Sequence, residues 1–137
     1  MVVHLVNRPR AFAELYRVLV PGGRLVISTA DPAGVARIWL SKLFPSYASI
    51  DRERFPVPEA LSAGLEMAGF TEVRSLPLEE RIVLGREQAL RMIRGRFASS
   101  FALIGDDEYR AGLDRAERVL PERIRFVMWL VVLTARR

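Results

Sequence analysis

Residues 14–27, ELYRVLVPGGRLVI, decide the fold, because a helix end, a chain reversal and a strand follow one another within them. Apolar residues approach this stretch at helical spacing, at Phe12, Leu15, Val18 and Leu19. Pro21 and Gly22 suit the central positions of a type II turn, since proline fixes φ at the first and glycine accepts positive φ at the second. The apolar run at 25–27 predicts a strand covered on both faces. Together these elements predict one layer unit of an α/β fold.

The residues on either side of this unit extend it in both directions. Residues 1–6, MVVHLV, are an apolar run that predicts a short strand or the tail of one. Asn7 can cap the first helix, and Pro9 suits its first turn, where the missing N–H costs nothing. Residues 29–34, TADPAG, form a loop at the carboxyl end of the strand, where ligands bind in open α/β sheets.

The middle of the chain predicts a second helix and a second strand. Residues 38–44 predict a short helix or an apolar flap, and the polar stretch 46–58 predicts a loop. A helix runs from Pro58 to Gly69, which is placed as its C-cap. A strand follows at 70–78 and continues at 81–84 after a bulge. Pro77 puts this strand at an edge of the sheet or ends it.

The last third predicts two helices and a final strand. The first helix carries the apolar residues Leu90, Ile93, Phe97 and Phe101, with Gly95 weakening its middle. Asp106 and Asp107 cap the second, and Pro121 stops it. Residues 124–134 are rich in valine, isoleucine and aromatic residues, as strands are. We therefore predict one α/β domain over residues 1–137, with a helical insertion at about 86–120.

Composition is typical of a globular domain. The 137 residues suit one domain, and 50% of them are hydrophobic, which favours a packed core over disorder. The absence of cysteine excludes disulfides, thiolate zinc sites and thiol nucleophiles. The longest apolar run, residues 126–133, is too short to cross a bilayer, which needs about 20 residues. The first residues lack the pattern of a signal peptide, so we expect a cytoplasmic protein without membrane partners.

The net charge of +5 raises the question of a nucleic-acid partner. Lys42 is the only lysine among 21 basic residues. The arginines are dispersed and interleaved with acids, as in 51–54, DRER, and 114–118, DRAER. Nucleic-acid binding usually needs a clustered basic footprint. A solvated arginine-rich surface is therefore favoured over a basic nucleic-acid-binding function.

Residues 17–27, RVLVPGGRLVI, resemble a signature of the class I S-adenosylmethionine-dependent methyltransferases. In that family a helix ending in a sequence such as Arg-Val-Leu-Lys-Pro-Gly-Gly leads into the fifth strand. Val20 departs from the pattern, since lysine is common there. Residues 59–61, EAL, and 68–73, AGFTEV, resemble the helix and sixth strand of the family, and 134–137, TARR, resemble the end of its small-molecule members.

The resemblance implies a partial Rossmann-like methyltransferase sheet of three strands, or four with residues 2–6, in which the terminal strand lies antiparallel between the fifth and sixth. It also implies S-adenosylmethionine as cofactor and a small-molecule methyl acceptor. Family members hold the cofactor mainly with a glycine-rich loop after the first strand and an acid after the second. This sequence contains no G-x-G, and only glycine lets backbone approach such a ligand closely. We therefore expect a truncated C-terminal half that does not bind the cofactor or act as an enzyme alone.

His4 and Asp31 are the candidate substrate-facing residues, and we predict no catalytic, cofactor-binding or metal-binding residue with them. The resemblance puts His4, the only histidine, near the substrate or in the role of a base, although an incidental histidine is the plainer interpretation. Asp31 lies at the carboxyl end of a strand, but a turn-forming aspartate before Pro32 is favoured over substrate contact. Helix capping explains the acids 106–108, DDE, better than a metal site does.

Several aromatic residues allow two interpretations. One interpretation is that they line an apolar substrate pocket. The other, which we favour for most of them, is that they pack in the core. The residues concerned are Trp39, Phe44, Tyr47, Phe97 and Phe101.

The strand at 24–29 predicts association with another chain. In the family fold both of its edges are paired, but here one edge would be open, and open apolar edges recruit partners. We expect a homo-oligomer, such as a two-fold dimer, or a separate polypeptide that supplies the N-terminal half. A non-catalytic oligomerisation or interaction module is the alternative function.

Overall fold

The fold is built on a three-stranded antiparallel sheet. A computed structural model describes residues 3–137, without the side chain of Ala36. The strands, in spatial order, are β1 (Arg24–Ala30), β3 (Arg123–Arg136) and β2 (Thr71–Gly85). The last strand of the chain is thus central and antiparallel to both neighbours. The predicted α/β class and the predicted place of the terminal strand are confirmed.

Helices fill the connections between the strands. The α-helices are α1 (Arg8–Val18), α2 (Tyr47–Arg54), α3 (Pro58–Met67), α4 (Arg86–Arg94) and α5 (Asp106–Val119). Single 3₁₀ turns lie at Val35–Arg37, Trp39–Lys42 and Ser99–Ala102. Within residues 3–137, no helix is long and apolar enough to span a membrane.

The first helix and the turn after it form as the sequence predicts. The Oδ1 of Asn7 caps α1 by accepting a hydrogen bond from the Arg10 N–H at 3.2 Å. Gly22 has a φ of 77°, in the left-handed region that glycine tolerates. The Gly23 N–H donates to the Val20 carbonyl at 2.8 Å, which closes the turn. Local chemistry therefore sets the reversal that leads into β1, and the far end of the chain supports it, because the Gly22 N–H donates to the Arg137 carbonyl at 3.0 Å.

Two separate apolar cores cover opposite faces of the sheet, because alternate residues of β3 point to opposite sides. α1 and α3 pack on one face against Val131, Leu133 and Ala135, and we call this the α1/α3 core. The other face is covered only at one end, where the β2–β3 ladder runs beyond β1. There α2, α4, α5 and the 3₁₀ turns pack over Ile124 and Leu84 in what we call the aromatic core.

The predicted loop at 46–58 is wrong, because residues 47–54 form α2. The helix start is fixed from a distance: the N–H and the hydroxyl of Ser46 both donate to a Glu108 carboxylate oxygen, at 2.8 and 2.9 Å. Tyr47 is buried at its first turn. A tertiary contact with α5, which no local pattern contains, thus holds the start of this polar helix in place.

The helix predicted to run through Phe101 is also wrong in its extent. α4 ends at Arg94, with Gly95 as its C-cap. Arg96 then takes a φ of 46°, which turns the chain away from the helix axis. Phe101 therefore lies in the next 3₁₀ turn instead of on α4.

Two strand predictions are wrong, whereas the edge position that Pro77 predicts for its strand is confirmed. β2 is one strand of 15 residues, and its irregularity lies between Thr71 and Arg74, not after residue 78. Pro77 lies within β2, opposite Val131 of β3. An edge strand tolerates proline, because a position whose nitrogen faces away from the sheet has no hydrogen bond to lose. Residues 3–6 form a turn instead of a strand, and residues 1 and 2 of that predicted run lie outside the described residues.

The prediction that β1 is covered on both faces is wrong as well. Leu25 and Ile27 pack into the α1/α3 core, but Val26 between them is 65% exposed. In residues 3–137, β1 pairs with β3 alone, so it forms an edge of the sheet. The apolar run therefore has more hydrophobic residues than the described chain buries.

Candidate functional site

A cavity of about 350 Å³ lies beyond the carboxyl end of β1, between the sheet and the aromatic core. That volume lies within the range of about 300–1,000 Å³ that is usual for small-molecule sites. Most of its wall is apolar. Prominent wall residues are Ile38, Trp39, Ile82, Met92, Phe126 and Met128.

The structure brings both candidate residues, His4 and Asp31, to the wall of this cavity. They come from sequence-distant segments, the turn before α1 and the loop after β1. Asp31 also has the turn role that the sequence favours, because its Oδ1 accepts from the Ala33 N–H at 2.9 Å. Contact of either residue with a substrate stays a prediction.

A cluster of polar side chains lies in and beside this wall, and sequence reasoning missed its aspartate, its arginine and its two serines. Asp51 is only 6% exposed, and its Oδ1 accepts a hydrogen bond from the hydroxyl of Ser100. Arg54 donates through one guanidinium nitrogen to Ser100 Oγ at 3.0 Å and through the other to Ser99 Oγ at 3.2 Å. We call His4, Tyr47, Asp51, Arg54, Ser99 and Ser100 the polar cluster.

His4 joins the polar cluster from the start of the chain. Its Nε2 lies 3.4 Å from Ser99 Oγ, and its ring lies 4.1 Å from the Phe55 ring. Its Nδ1 is buried and has no hydrogen-bond partner in the described part of the chain. The imidazole is thus held by one weak polar contact and one aromatic contact.

Burial shifts the titration of these groups in opposite directions. Burial raises the pKa of Asp51, although hydrogen bonding from Ser100 and the charge of Arg54 oppose the shift. Burial, reinforced by Arg54, lowers the pKa of His4. Burial, together with Asp51, raises the pKa of Tyr47 above its ordinary value. Burial therefore increases the basicity of the Asp51 carboxylate and favours the neutral forms of the His4 imidazole and the Tyr47 phenol.

The sequence contained a signal for this cluster. Tyr47 and Asp51 are four residues apart, so on a helix they share one face, and Arg54 follows three residues later. The acids and arginines of 51–54 were instead interpreted as solvated surface. Predicting a loop there removed the helical spacing that places Asp51 beside buried Tyr47.

The five aromatic candidates divide between cavity and core. Trp39, Tyr47 and Phe97 line the cavity. Phe44 and Phe101 are fully buried and pack edge-to-face with ring centroids 5.0 Å apart. Trp39 and Tyr47 are also buried members of the aromatic core, so core packing is a role of four of the five, as the sequence favours for most of them.

Two kinds of ligand site can be compared with the described residues, a metal site and a glycine-rich backbone site. Among residues 3–137, no group of three histidine or acidic side chains is placed to hold a metal ion. The backbone N–H groups of Gly22 and Gly23 already donate to the carbonyls of Arg137 and Val20. Gly34, the glycine of the cavity wall, lies against Trp129, whose Cβ would be 2.3 Å from an added Cβ. These three glycines are thus hydrogen-bonded within the turn or packed against Trp129.

No protein-family model matches the chain. It is 36% identical to the demethylmenaquinone methyltransferase of Thermus thermophilus over 45% of this chain and 37% of that protein. It is 39% identical to a ubiquinone/menaquinone biosynthesis C-methyltransferase of Methylobacterium nodulans over 47% of this chain and 33% of that protein. These matches span about a third of each relative, so neither covers the whole enzyme.

The fold matches a protein of Anabaena variabilis that is assigned as a methyltransferase from an antibiotic biosynthesis pathway. The TM-score is 0.66 at 21% identity, and the match covers 96% of this chain and 62% of that one. Sequence and fold together relate the chain to the class I S-adenosylmethionine-dependent methyltransferases. It corresponds to the C-terminal half of their Rossmann-like fold.

Proposed function

We propose that these residues form the acceptor-binding half of a methyltransferase that uses S-adenosylmethionine to methylate a small, largely apolar molecule. The cavity beyond the carboxyl end of β1 is the observation that carries this proposal. Ligands of α/β sheets bind at that end of the strands, and the volume suits a molecule of one or two rings. The relatives' names supply the reaction class.

The cofactor is held, in this proposal, by residues outside the 137-residue sequence. The glycines of the turn before β1 and of the cavity wall are hydrogen-bonded or closely packed, so in this proposal these residues alone bind S-adenosylmethionine too weakly to act. What they contribute is position. Holding the acceptor at a fixed place and angle relative to a separately bound methyl donor lowers the activation barrier to methyl transfer by a large part.

The segment between β2 and β3 is proposed to act as the outer wall of the acceptor site. It contains α4, the 3₁₀ turn at Ser99–Ala102 and α5, and it supplies Met92, Phe97 and Ser100 to the cavity. In this proposal, the helical insertion predicted at 86–120 serves as that outer wall. Changes at its cavity-facing residues would alter the acceptor that fits without disturbing the sheet.

The open edge of β1 is proposed to pair with a strand of the cofactor-binding half. Its backbone donors and acceptors on that side have no strand partner in residues 3–137. Val26, on β1 itself, is 65% exposed. Leu76 and Leu78, which are 57 and 47% exposed, lie on the same face of the sheet but on β2, the strand at its opposite edge. A strand added at this edge would pair the free backbone groups of β1, and helices that accompany the added strands would cover Val26.

Two binding measurements on the 137-residue chain test the proposal. Calorimetric titration with S-adenosylmethionine is expected to give no heat of binding. Titration with 2-methoxynaphthalene, an apolar two-ring probe, is expected to quench the fluorescence of Trp39 and Trp129, which line the cavity. Tight binding of S-adenosylmethionine would contradict the proposal that residues outside this sequence hold the cofactor. Failure of the probe to bind would contradict the proposed acceptor site.

The genomic sequence upstream of Met1 offers an independent test. An in-frame segment encoding a glycine-rich loop after a predicted strand would support a cofactor-binding half in the same polypeptide. A separate gene product that restores S-adenosylmethionine binding when mixed with this chain would support a split enzyme. If neither supplies cofactor binding, the methyltransferase proposal is wrong for this chain.

The exposed sheet face favours one second candidate, a non-catalytic interaction module. A second copy of the chain pairing through β1 would cover the same edge and would produce a two-fold dimer. Sedimentation equilibrium distinguishes the two. A stable dimer that binds no apolar probe favours the interaction module, whereas a monomer that binds the probe favours the acceptor half.

A further inference from the structure

The buried carboxylate of Asp51 points to a specific kind of acceptor. We propose that Asp51 binds a weakly acidic hydroxyl group on the methyl acceptor and accepts its proton. This inference rests on the proposed function, since it concerns the ligand of the same cavity. The acceptor would be a mostly apolar molecule with one phenol-like or enol-like hydroxyl at the end that meets the polar cluster.

The first argument is the position of the carboxylate in an apolar wall. Asp51 is almost fully buried, yet it lines a cavity surrounded mainly by aliphatic and aromatic side chains. A buried carboxylate is costly unless it is well partnered. Ser100 donates a hydrogen bond to Oδ1 of Asp51 and the Tyr47 phenol is a second donor beside it, but a carboxylate offers about four lone-pair sites and so keeps acceptor capacity for a ligand.

The second argument is how Arg54 is used. A direct ion pair would stabilise the carboxylate best, but the described ion pairs include none between Arg54 and Asp51. Arg54 instead donates to Ser100 Oγ, and because a guanidinium only donates, the Ser100 proton is left to point at Asp51. One hydroxyl thus separates the positive charge from the carboxylate and fixes the orientation of Oδ1.

The third argument is the surrounding charge. The titratable or charged groups beside Asp51 are Tyr47, Arg54 and His4. Burial holds the pKa of Asp51 above its ordinary value and that of His4 below it. A carboxylate of raised basicity beside a neutral imidazole can take a proton without a second positive charge forming next to Arg54.

The step itself is a single proton transfer. The O–H bond of the acceptor breaks, the proton moves to Oδ2 of Asp51, and the electron pair of that bond stays on the acceptor oxygen. The carboxylate becomes a neutral acid while the acceptor becomes an anion, so charge is conserved. Nucleophilic reactivity of the acceptor rises because that electron pair is now free.

A matched pair of probes tests the proposal on the 137-residue chain. 2-Naphthol carries the hydroxyl, and 2-methoxynaphthalene has the same rings without a donor. A hydrogen bond to an ionised group contributes about 1.5–3 kcal/mol, so 2-naphthol is expected to bind about 10–100-fold more tightly. Asp51→Asn should abolish most of this preference while leaving the affinity for 2-methoxynaphthalene unchanged.

A spectroscopic readout separates proton acceptance from a merely structural role. Excited 2-naphthol is a much stronger acid than ground-state 2-naphthol, so a carboxylate at its hydroxyl yields naphtholate emission inside the cavity. The parent chain should show this emission from bound probe, and Asp51→Asn should show emission of the neutral form. The preference for 2-naphthol should fall on acidification, in a window above the ordinary carboxyl pKa of about 3.9.

Two further variants complete the test. Glu53→Gln removes a carboxylate from the exposed side of the same helix and should change neither affinity nor emission. Ser100→Ala keeps Asp51 but removes its donor, so the loss of preference should move to higher pH. Equal preference and equal emission in the parent chain and Asp51→Asn would overturn the role of Asp51. Failure of both probes to bind would overturn the acceptor cavity with it.

Discussion

The two ends of the sheet bury their apolar residues to different extents. At the end beyond β1, the aromatic core covers the β2–β3 ladder with fully buried side chains such as Phe44 and Phe101. On the same face at the other end, Val26, Leu76 and Leu78 are about half or more exposed. The sequence supplies apolar residues at both ends, but the described chain supplies a covering layer at only one.

This difference indicates which part of the molecule is complete in itself. The aromatic core contains helices, strand residues and the cavity, so its packing depends only on residues within the chain. The exposed face and the open edge of β1 are continuous with each other and have no such layer. Stability should therefore depend on the first region and association on the second.

Phe44→Ala should produce the largest loss of stability. Phe44 is fully buried and contacts Phe101 and Tyr109, so its removal leaves a large void in the aromatic core. We expect a loss of about 3–5 kcal/mol in the free energy of unfolding, measured by urea denaturation. Phe97→Ala, at a residue 48% exposed, is the control and should cost much less. Similar losses for both variants would contradict the distinction between core and cavity wall.

Gly112→Ala and Gly64→Ala compare the packing of the two cores. A Cβ at Gly112 would lie 2.1 Å from a Phe44 ring atom, and one at Gly64 would lie 2.9 Å from a Phe12 ring atom. Both are helical glycines, so the gain in helix propensity is shared and the difference reports packing. We expect Gly112→Ala to be more destabilising, by about 1–3 kcal/mol. Thermal unfolding checks this order. A reversed order would show that the aromatic core accommodates an added methyl group more easily than the α1/α3 core does.

Asp51→Asn should change how stability depends on pH. Burial raises the folded-state pKa of Asp51, so the folded state holds this proton more tightly than the unfolded state does. The parent chain should therefore lose stability relative to Asp51→Asn as pH rises from about 3.9 through the raised pKa, and the difference should level off above it. Urea unfolding at several pH values measures it. A constant difference between the two proteins would contradict the shift.

Leu76→Ser should have the smallest effect on stability. Leu76 is 57% exposed on the uncovered sheet face, so the substitution should change the free energy of unfolding by no more than about 0.5 kcal/mol. Leu61→Ser, at a fully buried residue of the α1/α3 core, is the contrasting control. Analytical ultracentrifugation should show weaker self-association of Leu76→Ser. Unchanged association would indicate that this face does not attract partners.

Much of the fold follows from local signals in the sequence. Asn7, Pro21 and Gly22 fix a helix start and a turn through their own backbone and side-chain chemistry, so the first α/β unit was predictable. The helix from Pro58 and its end at Gly69 were predictable for the same reason. The relation to methyltransferases followed from residues 17–27 and 68–73, which lie in and beside these elements.

The candidate site was predictable only in part. His4 and Asp31 were expected near a ligand, and both line the cavity, but neither is its most buried charged group. Asp51 was missed because a polar stretch read alone resembles solvated surface. Its burial depends on Ser46 meeting Glu108, a partner 62 positions away in the sequence.

The sequence by itself determined where the chain reverses direction and where the capped helices begin and end. It also determined which family its signature resembles. These properties depend on residues within one or two turns of each other. Only the tertiary structure decided that residues 47–54 are helical, that Asp51 lines a cavity and that β1 is covered on one face. Each of these depends on which distant segment packs against it, and burial is a property of that contact instead of the residue.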